Sequence, residues 1–64
     1  MTIKFLLTDH TGRPGPERTV QLQNPDPHPV AINRMGRQWA AQQSHQWDRL
    51  IVDDGRSKRE LSLV

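Results

Sequence analysis

Two arginines three residues apart are the side chains best placed to bind an anion. Arg34 and Arg37 lie in a segment whose apolar residues recur at helical spacing, and residues three apart on a helix are neighbours. A guanidinium presents paired N–H donors that match a carboxylate or a phosphate. We therefore expect Arg34 and Arg37 to form an exposed basic pair that contacts an acidic partner.

Trp47 and Arg49 belong to residue types that are enriched at protein interfaces. One aromatic or arginine anchor can contribute about 2 kcal/mol or more to binding. Together with Arg34 and Arg37, these residues predict a surface that binds another protein. We expect a small non-enzymatic regulator, inhibitor or adaptor, and by analogy of size a phage or mobile element as its source.

The alternative is a small basic nucleic-acid-binding protein with a tryptophan as a stacking surface. The basic residues that would form this surface are Arg34, Arg37, Arg56, Lys58 and Arg59. Asp53, Asp54 and Glu60 are interleaved with the last three, and the formal net charge is only +2. Because nucleic-acid binding draws its free energy from several phosphates neutralised together, we place this interpretation second.

Residue types used in catalysis and metal binding are present but not suitably spaced. The histidines are His10, His28 and His45, and no two have the spacing of a known metal site. Ser44 and His45 are adjacent, and neighbours on a helix point about 100° apart, so they do not form a nucleophile and base pair. Asp53 and Asp54 precede a glycine, which is typical of a turn. We expect no catalytic residue, no metal ligand and no cofactor.

Length and composition predict one small domain covering residues 1–64. The chain has 64 residues, 33% of them hydrophobic, and no cysteine, which excludes a disulfide framework and favours a cytoplasmic location. Apolar runs such as Phe5–Leu7 reach only three residues, too short for a membrane span or a signal peptide. Since so short a chain builds only a small core, we also expect a homodimer.

Hydrophobic periodicity predicts the elements that position these residues. We expect strands near 2–8, 18–23, 47–52 and 58–63, a helix near 30–43, and a loop over 9–16, where two glycines and two prolines fall together. Ile32, Met35 and Trp39 form the face of the helix toward the sheet, and Gly36 on that face permits close approach. The fold class is α+β: strand-strand-helix-strand-strand, with one amphipathic helix packed on a four-stranded sheet.

The segments Thr2-Ile-Lys-Phe-Leu-Leu and Thr19-Val-Gln-Leu resemble the opening hairpin of ubiquitin-like β-grasp domains. The likeness is one of element order and covers about two thirds of the chain. Conjugated and sulfur-carrier members of that family end in Gly-Gly, whereas this chain ends Leu61-Ser-Leu-Val64, so the resemblance implies no conjugation or sulfur transfer. That C-terminal segment, uncharged after Glu60, is instead the expected pairing edge of the homodimer.

Overall fold

A computed structural model describes residues 1–23, 27–43 and 46–63 and shows one helix packed on a four-stranded antiparallel sheet. The elements are β1 (Thr2–Thr8), β2 (Pro14–Gln21), α1 (Pro29–Ala41), β3 (Arg49–Asp53) and β4 (Lys58–Ser62). The strands lie in the order β2-β1-β3-β4, so β1 and β3 are central. The α+β fold and the order of elements predicted from the sequence are confirmed.

The core lies between α1 and the two central strands. Alternation in β1 turns Ile3, Phe5 and Leu7 to the helix side, where each is fully buried. Leu50 and Val52 of β3 are buried beside them, and each is the cross-strand partner of a buried β1 residue. This face of the sheet therefore carries the main hydrophobic contacts of the fold.

The helix begins at Pro29, one residue before the predicted start at residue 30. It ends at Ala41, two residues before the predicted end at residue 43. Proline suits the first helical position because its missing N–H has no partner there in any helix. His28 caps the start, and its Nδ1 accepts a hydrogen bond from the N–H of Val30 at 3.2 Å. Gln42 ends the helix, with its N–H donating to the carbonyl of Trp39 at 3.0 Å.

Close approach of α1 to the sheet depends on Gly36, as predicted. A β-carbon added at this glycine would lie 2.8 Å from side-chain carbons of both Leu50 and Phe5. Ile32 on the same face is only 3% exposed, and Trp39 stacks on Phe5 with ring centroids 6.2 Å apart. Trp39 is only partly buried, although it packs against the core.

The predicted loop over 9–16 is too long, because β2 begins at Pro14 instead of residue 18. Proline is tolerated at the start of an edge strand and at irregularities, and both conditions hold here. β2 is an edge strand, and its register against β1 shifts between Leu6 and Thr8. The remaining turn is closed by Asp9, whose carboxylate accepts from the N–H groups of Thr11 and Arg13, both at 2.9 Å.

Candidate protein interface

The face of α1 opposite the sheet forms a continuous strip, which we name the outer helix stripe. Its residues are Val30, Asn33, Arg34, Arg37, Gln38 and Ala41, and they line a shallow groove of about 440 Å³. Val30 is 56% exposed, and among the described residues it is the one large hydrophobic side chain that is mostly exposed. The helix contains no acidic residue. The stripe therefore combines exposed apolar surface with positive charge alone.

The two arginines of the outer helix stripe have different surroundings. Arg34 is exposed and forms no ion pair with an acid in the described ranges. Arg37 donates from Nη1 to the carbonyl oxygen of Ser62 in β4, at 2.9 Å. The sequence correctly placed both on one surface, and Arg37 additionally ties the helix to the end of β4.

Asn33 gives the outer helix stripe an unsatisfied polar atom. Its Oδ1 is buried and has no hydrogen-bond partner within the described structure. A buried acceptor left without a donor costs about 1–3 kcal/mol. Because this atom is buried, a partner that docks on the stripe does not reach it, so the unsatisfied acceptor is a cost within the fold.

A second concavity, which we name the α1/β2 groove, lies beside the helix above the edge strand. It has a volume of about 200 Å³ and is lined by Phe5, Arg18, Val20, Met35, Gln38, Trp39 and Gln42. It exists because α1 packs chiefly over β3 and leaves the β2 side of the sheet less covered. Arg18 was not singled out from the sequence. Its alternation with Val20, which places both on the helix side of β2, is the signal that could have found it.

The sheet surface away from α1, the open sheet face, carries two ion pairs. Lys4 lies 3.3 Å from Glu17, and Arg49 lies 3.3 Å from Glu60, measured between side-chain nitrogen and oxygen. Between these two pairs sit Leu6 and Ile51, which are direct cross-strand partners.

The two ion pairs on the open sheet face occupy equivalent positions. Glu17 is the cross-strand partner of Leu6, and Glu60 is the cross-strand partner of Ile51. The strand registers thus relate the β1–β2 and β3–β4 hairpins by an approximate two-fold axis between Leu6 and Ile51. Lys-Phe-Leu-Leu-Thr (4–8) then corresponds to Arg-Leu-Ile-Val-Asp (49–53), a likeness too short to identify as a repeat from the sequence.

The other two residues predicted to bind a partner do not join Arg34 and Arg37. Arg49 lies on the open sheet face, on the opposite side of the molecule from the outer helix stripe, and is paired with Glu60. Trp47 is half-buried and packs against the core, with its ring so close to Gly15 that a side chain there would have no space. Most of its surface therefore contributes to the fold.

The residues of the nucleic-acid alternative are divided by the alternation of β4. Lys58 is the cross-strand partner of Asp53 and lies on the open sheet face, whereas Arg59 pairs with Val52 and lies on the helix side. Arg56 and Arg59 line a cavity of about 270 Å³ together with Asp54. Hydrogen bonds from the N–H groups of Ser57 and Arg56, with a smaller contribution from nearby arginines, lower the pKa of Asp54. Lys58 and Arg59 therefore face opposite sides of the sheet, and Arg56 and Arg59 line the same cavity as the acidic Asp54.

The carboxylates predicted to form turns do so. Asp54 accepts from the N–H groups of Arg56 and Ser57, each at 2.8 Å, and Asp53 accepts from Gly55 at 2.9 Å. His10 lies 3.5 Å from Asp48 at the other end of the sheet. The described ranges contain no group of three or more residues able to hold a metal ion, and Ser44, His45 and Val64 lie outside those ranges.

Comparison with protein-family models, with curated protein sequences and with solved structures finds no match to this chain. Within residues 1–23, 27–43 and 46–63, the structure has no helix that is long and apolar enough to cross a membrane. The arrangement of charge and apolar surface on α1 is therefore the basis for assigning a function.

Proposed function

We propose that this chain is a non-enzymatic protein-binding module, acting as a regulator, inhibitor or adaptor, whose outer helix stripe docks on an acidic surface of another protein. The single observation that supports this most strongly is the unequal distribution of charge. On the open sheet face, Lys4 and Arg49 are each paired with a glutamate of the same face. On the stripe, Arg34 has no acidic partner within the described structure.

No acid of the described chain lines the outer helix stripe, which is therefore positive, and five of the six such acids are held in turns or ion pairs. Asp9, Asp53 and Asp54 accept backbone hydrogen bonds in their own turns. Glu17 and Glu60 are held in the two ion pairs of the open sheet face. A partner carboxylate is therefore the group that best complements Arg34, because arginine binds carboxylates through two parallel hydrogen bonds.

A protein fits the stripe better than a nucleic acid does. Exposed Val30 and the small side chain of Ala41 flank the arginines, so docking buries apolar surface as well as charge. A phosphate backbone is bound through several cations acting together, and here Lys58 lies on the opposite face from Arg34. Arg37 is also partly engaged by the Ser62 carbonyl.

The test is photo-crosslinking in cells of the source organism. A benzophenone side chain placed at Ala41 on the stripe is expected to capture one defined protein, and the same group at Lys58, exposed on the open sheet face, serves as the control. Introducing Arg34→Glu should abolish capture, while Lys4→Glu, an equal change of charge on the open sheet face, should leave it intact.

Titration of single- and double-stranded oligonucleotides at about 50 and about 200 mM salt tests the alternative. Binding that weakens steeply with salt and is lost with Arg34→Glu would overturn the proposal in favour of a nucleic-acid binder. Equal capture from Ala41 and Lys58, or capture that survives Arg34→Glu, would also contradict it.

Homodimerisation stays a prediction. The edge proposed for pairing is β4, and one acceptor near its end, the Ser62 carbonyl, is already bonded to Arg37. Sedimentation equilibrium at micromolar concentration, on the wild-type chain and on Arg37→Ala, measures whether this contact limits pairing along β4.

A further inference from the structure

The outer edge of β2 offers unpaired backbone groups. Within the described ranges, β2 pairs with β1 and has no strand on its other side. The N–H of Leu22 donates to the carbonyl of Met1 at 2.8 Å, which shows that backbone groups of residue 22 point toward β1. Because these groups alternate in direction along a strand, those of Glu17, Thr19 and Gln21 point outward. An extended chain could form a short ladder with them.

The usable part of this edge is short and its limits are defined. Pro14 and Pro16, with the register shift opposite Leu7, interrupt regular pairing at one end. On the opposite edge of the sheet, Arg37 donates to the Ser62 carbonyl. The stretch from Glu17 to Gln21 is thus the more accessible edge, with room for a segment of about four residues.

The α1/β2 groove lies directly beside this edge. Arg18 and Val20 are the cross-strand partners of Phe5 and Ile3, so their side chains point to the helix side of the sheet. The accessible floor of the groove is apolar, formed by the partly buried Val20, Met35 and Trp39, with the fully buried Phe5 beneath them. A strand added to β2 would turn alternate side chains to the same side, where they meet this floor.

Arg18 indicates that a ligand of the α1/β2 groove carries a negative charge. It is exposed, stands at the groove, and makes no ion pair with an acid of the described structure. The other polar groups lining the groove are the neutral amides of Gln38 and Gln42. A ligand that carries a carboxylate next to an apolar side chain complements both parts of the site, and the last residue of a peptide combines the two.

We propose that the β2 edge and the α1/β2 groove bind the C-terminus of a partner protein as a fifth strand. The terminal apolar side chain enters the groove, and the terminal carboxylate pairs with Arg18. Main-chain hydrogen bonds to Glu17, Thr19 and Gln21 supply affinity, and the groove supplies specificity, as in other cases of strand addition. This inference rests on the proposed protein-binding function and locates a second contact surface, separate from Arg34.

The test uses the isotope-labelled full chain and a pool of hexapeptides with random positions and a C-terminal Leu, Phe or Val. With a free carboxylate, the pool is expected to shift the amide signals of Thr19 and Gln21 and the indole signal of Trp39. The same pool with an amidated C-terminus, and the variant Arg18→Gln, should each bind at least about tenfold more weakly. Lys58→Gln, on the open sheet face of β4 and at the far edge of the sheet from β2, should bind like the wild type.

Three results would overturn the inference: no shift with the free-carboxylate pool, equal binding of the amidated pool, or the same indole shift on self-association without peptide. Shifts confined to Arg34 and its neighbours would overturn it while supporting the outer helix stripe as the interface. Binding of an oligonucleotide that is lost with Arg18→Gln would assign the groove to nucleic acid instead. A dispersed amide spectrum of Arg18→Gln separates lost binding from lost folding.

Discussion

Both faces of the sheet carry basic side chains, but the two faces differ in whether an acidic side chain lies beside each of them. On the open sheet face, Lys4 and Arg49 are each neutralised by a glutamate 3.3 Å away. On the helix side, Arg18 and Arg34 have no acidic partner in the parts of the chain described here. The difference shows that charge count alone does not locate an interface, because a net charge of +2 conceals one balanced surface and one basic surface.

The faces also differ in what they contribute to stability. The helix side buries Ile3, Phe5 and Leu7 completely, whereas the open sheet face leaves Leu6 and Ile51 partly exposed between charged side chains. Burial of apolar surface is the dominant favourable term in folding, and exposed ion pairs add little. Stability therefore resides on the helix side of the sheet, close to the two surfaces proposed for binding.

The largest expected difference between the faces comes from neighbouring residues of β1. Phe5→Ala removes a fully buried ring that contacts Trp39 and should lower the free energy of unfolding by about 3–5 kcal/mol. Leu6→Ala, on the partly exposed side, should cost less than half as much. Urea denaturation followed by circular dichroism measures both, and equal losses would contradict the assignment of the core to one face.

Gly36 tests how tightly α1 is packed. Gly36→Ala introduces a methyl group 2.8 Å from carbons of Leu50 and Phe5 and should cost about 1–3 kcal/mol, despite the better helix propensity of alanine. Ala41→Leu on the outer helix stripe is the control, because that position is exposed. Stabilisation by Gly36→Ala in thermal denaturation would show that the helix stands further from the sheet.

The turns that join the strands of the two hairpins make the free energy of unfolding depend on pH in the acidic range. Hydrogen bonds from Thr11 and Arg13 lower the pKa of Asp9, and those from Ser57 and Arg56 lower the pKa of Asp54. Both folded-state pKa values lie below the unfolded ones, so their contribution is present at neutral pH and is lost as pH falls below about 4. Urea midpoints measured between neutral pH and about pH 2 should decline, and less steeply in Asp9→Asn and Asp54→Asn. An unchanged slope in both variants would contradict this cause.

The smallest expected effect is on the ion pairs themselves. A double-mutant cycle on Arg49 and Glu60 should give a coupling of about 0–1 kcal/mol that decreases with added salt, since both side chains are about half exposed.

Arg34→Gln should leave stability unchanged, because Arg34 has no described acidic partner to lose. A destabilising Arg34→Gln would mean that this arginine serves the fold instead of a partner.

Local pattern was sufficient to predict the elements and the buried face of the helix. Alternation of Ile3, Phe5 and Leu7 predicts β1, and the spacing of Ile32, Met35 and Trp39 predicts the contact side of α1. The predicted start of β2, at residue 18, is too late, because the local pattern treats Pro14 and Pro16 as excluding a strand. Proline is excluded from central strands but is tolerated at the start of an edge strand. Whether a strand is central or at an edge depends on sheet order, which a local pattern does not contain.

The proposed interface was only half predictable for the same reason. Arg34 and Arg37 are neighbours through helical spacing, and the structure keeps them on one surface. The surroundings of Trp47 and Arg49 depend on which side of the sheet each side chain faces. Arg49 is paired with Glu60 of β4, and a local sequence pattern does not predict this pairing. Arg18 belongs to a groove created by the lateral placement of α1, a tertiary feature.

The central position of β1 and β3 has a consequence for how the chain folds. Each hairpin joins strands that are close in sequence, but Leu6 and Ile51, whose pairing brings the hairpins together, are separated by the whole helical region. Closing that long loop costs entropy before the shared core offsets it, so this pairing should limit the folding rate. A two-stranded hairpin is marginally stable alone, and neither half can bury its apolar face without the other. Folding and unfolding are therefore expected to be all-or-none, with no stable half-molecule for proteases to encounter.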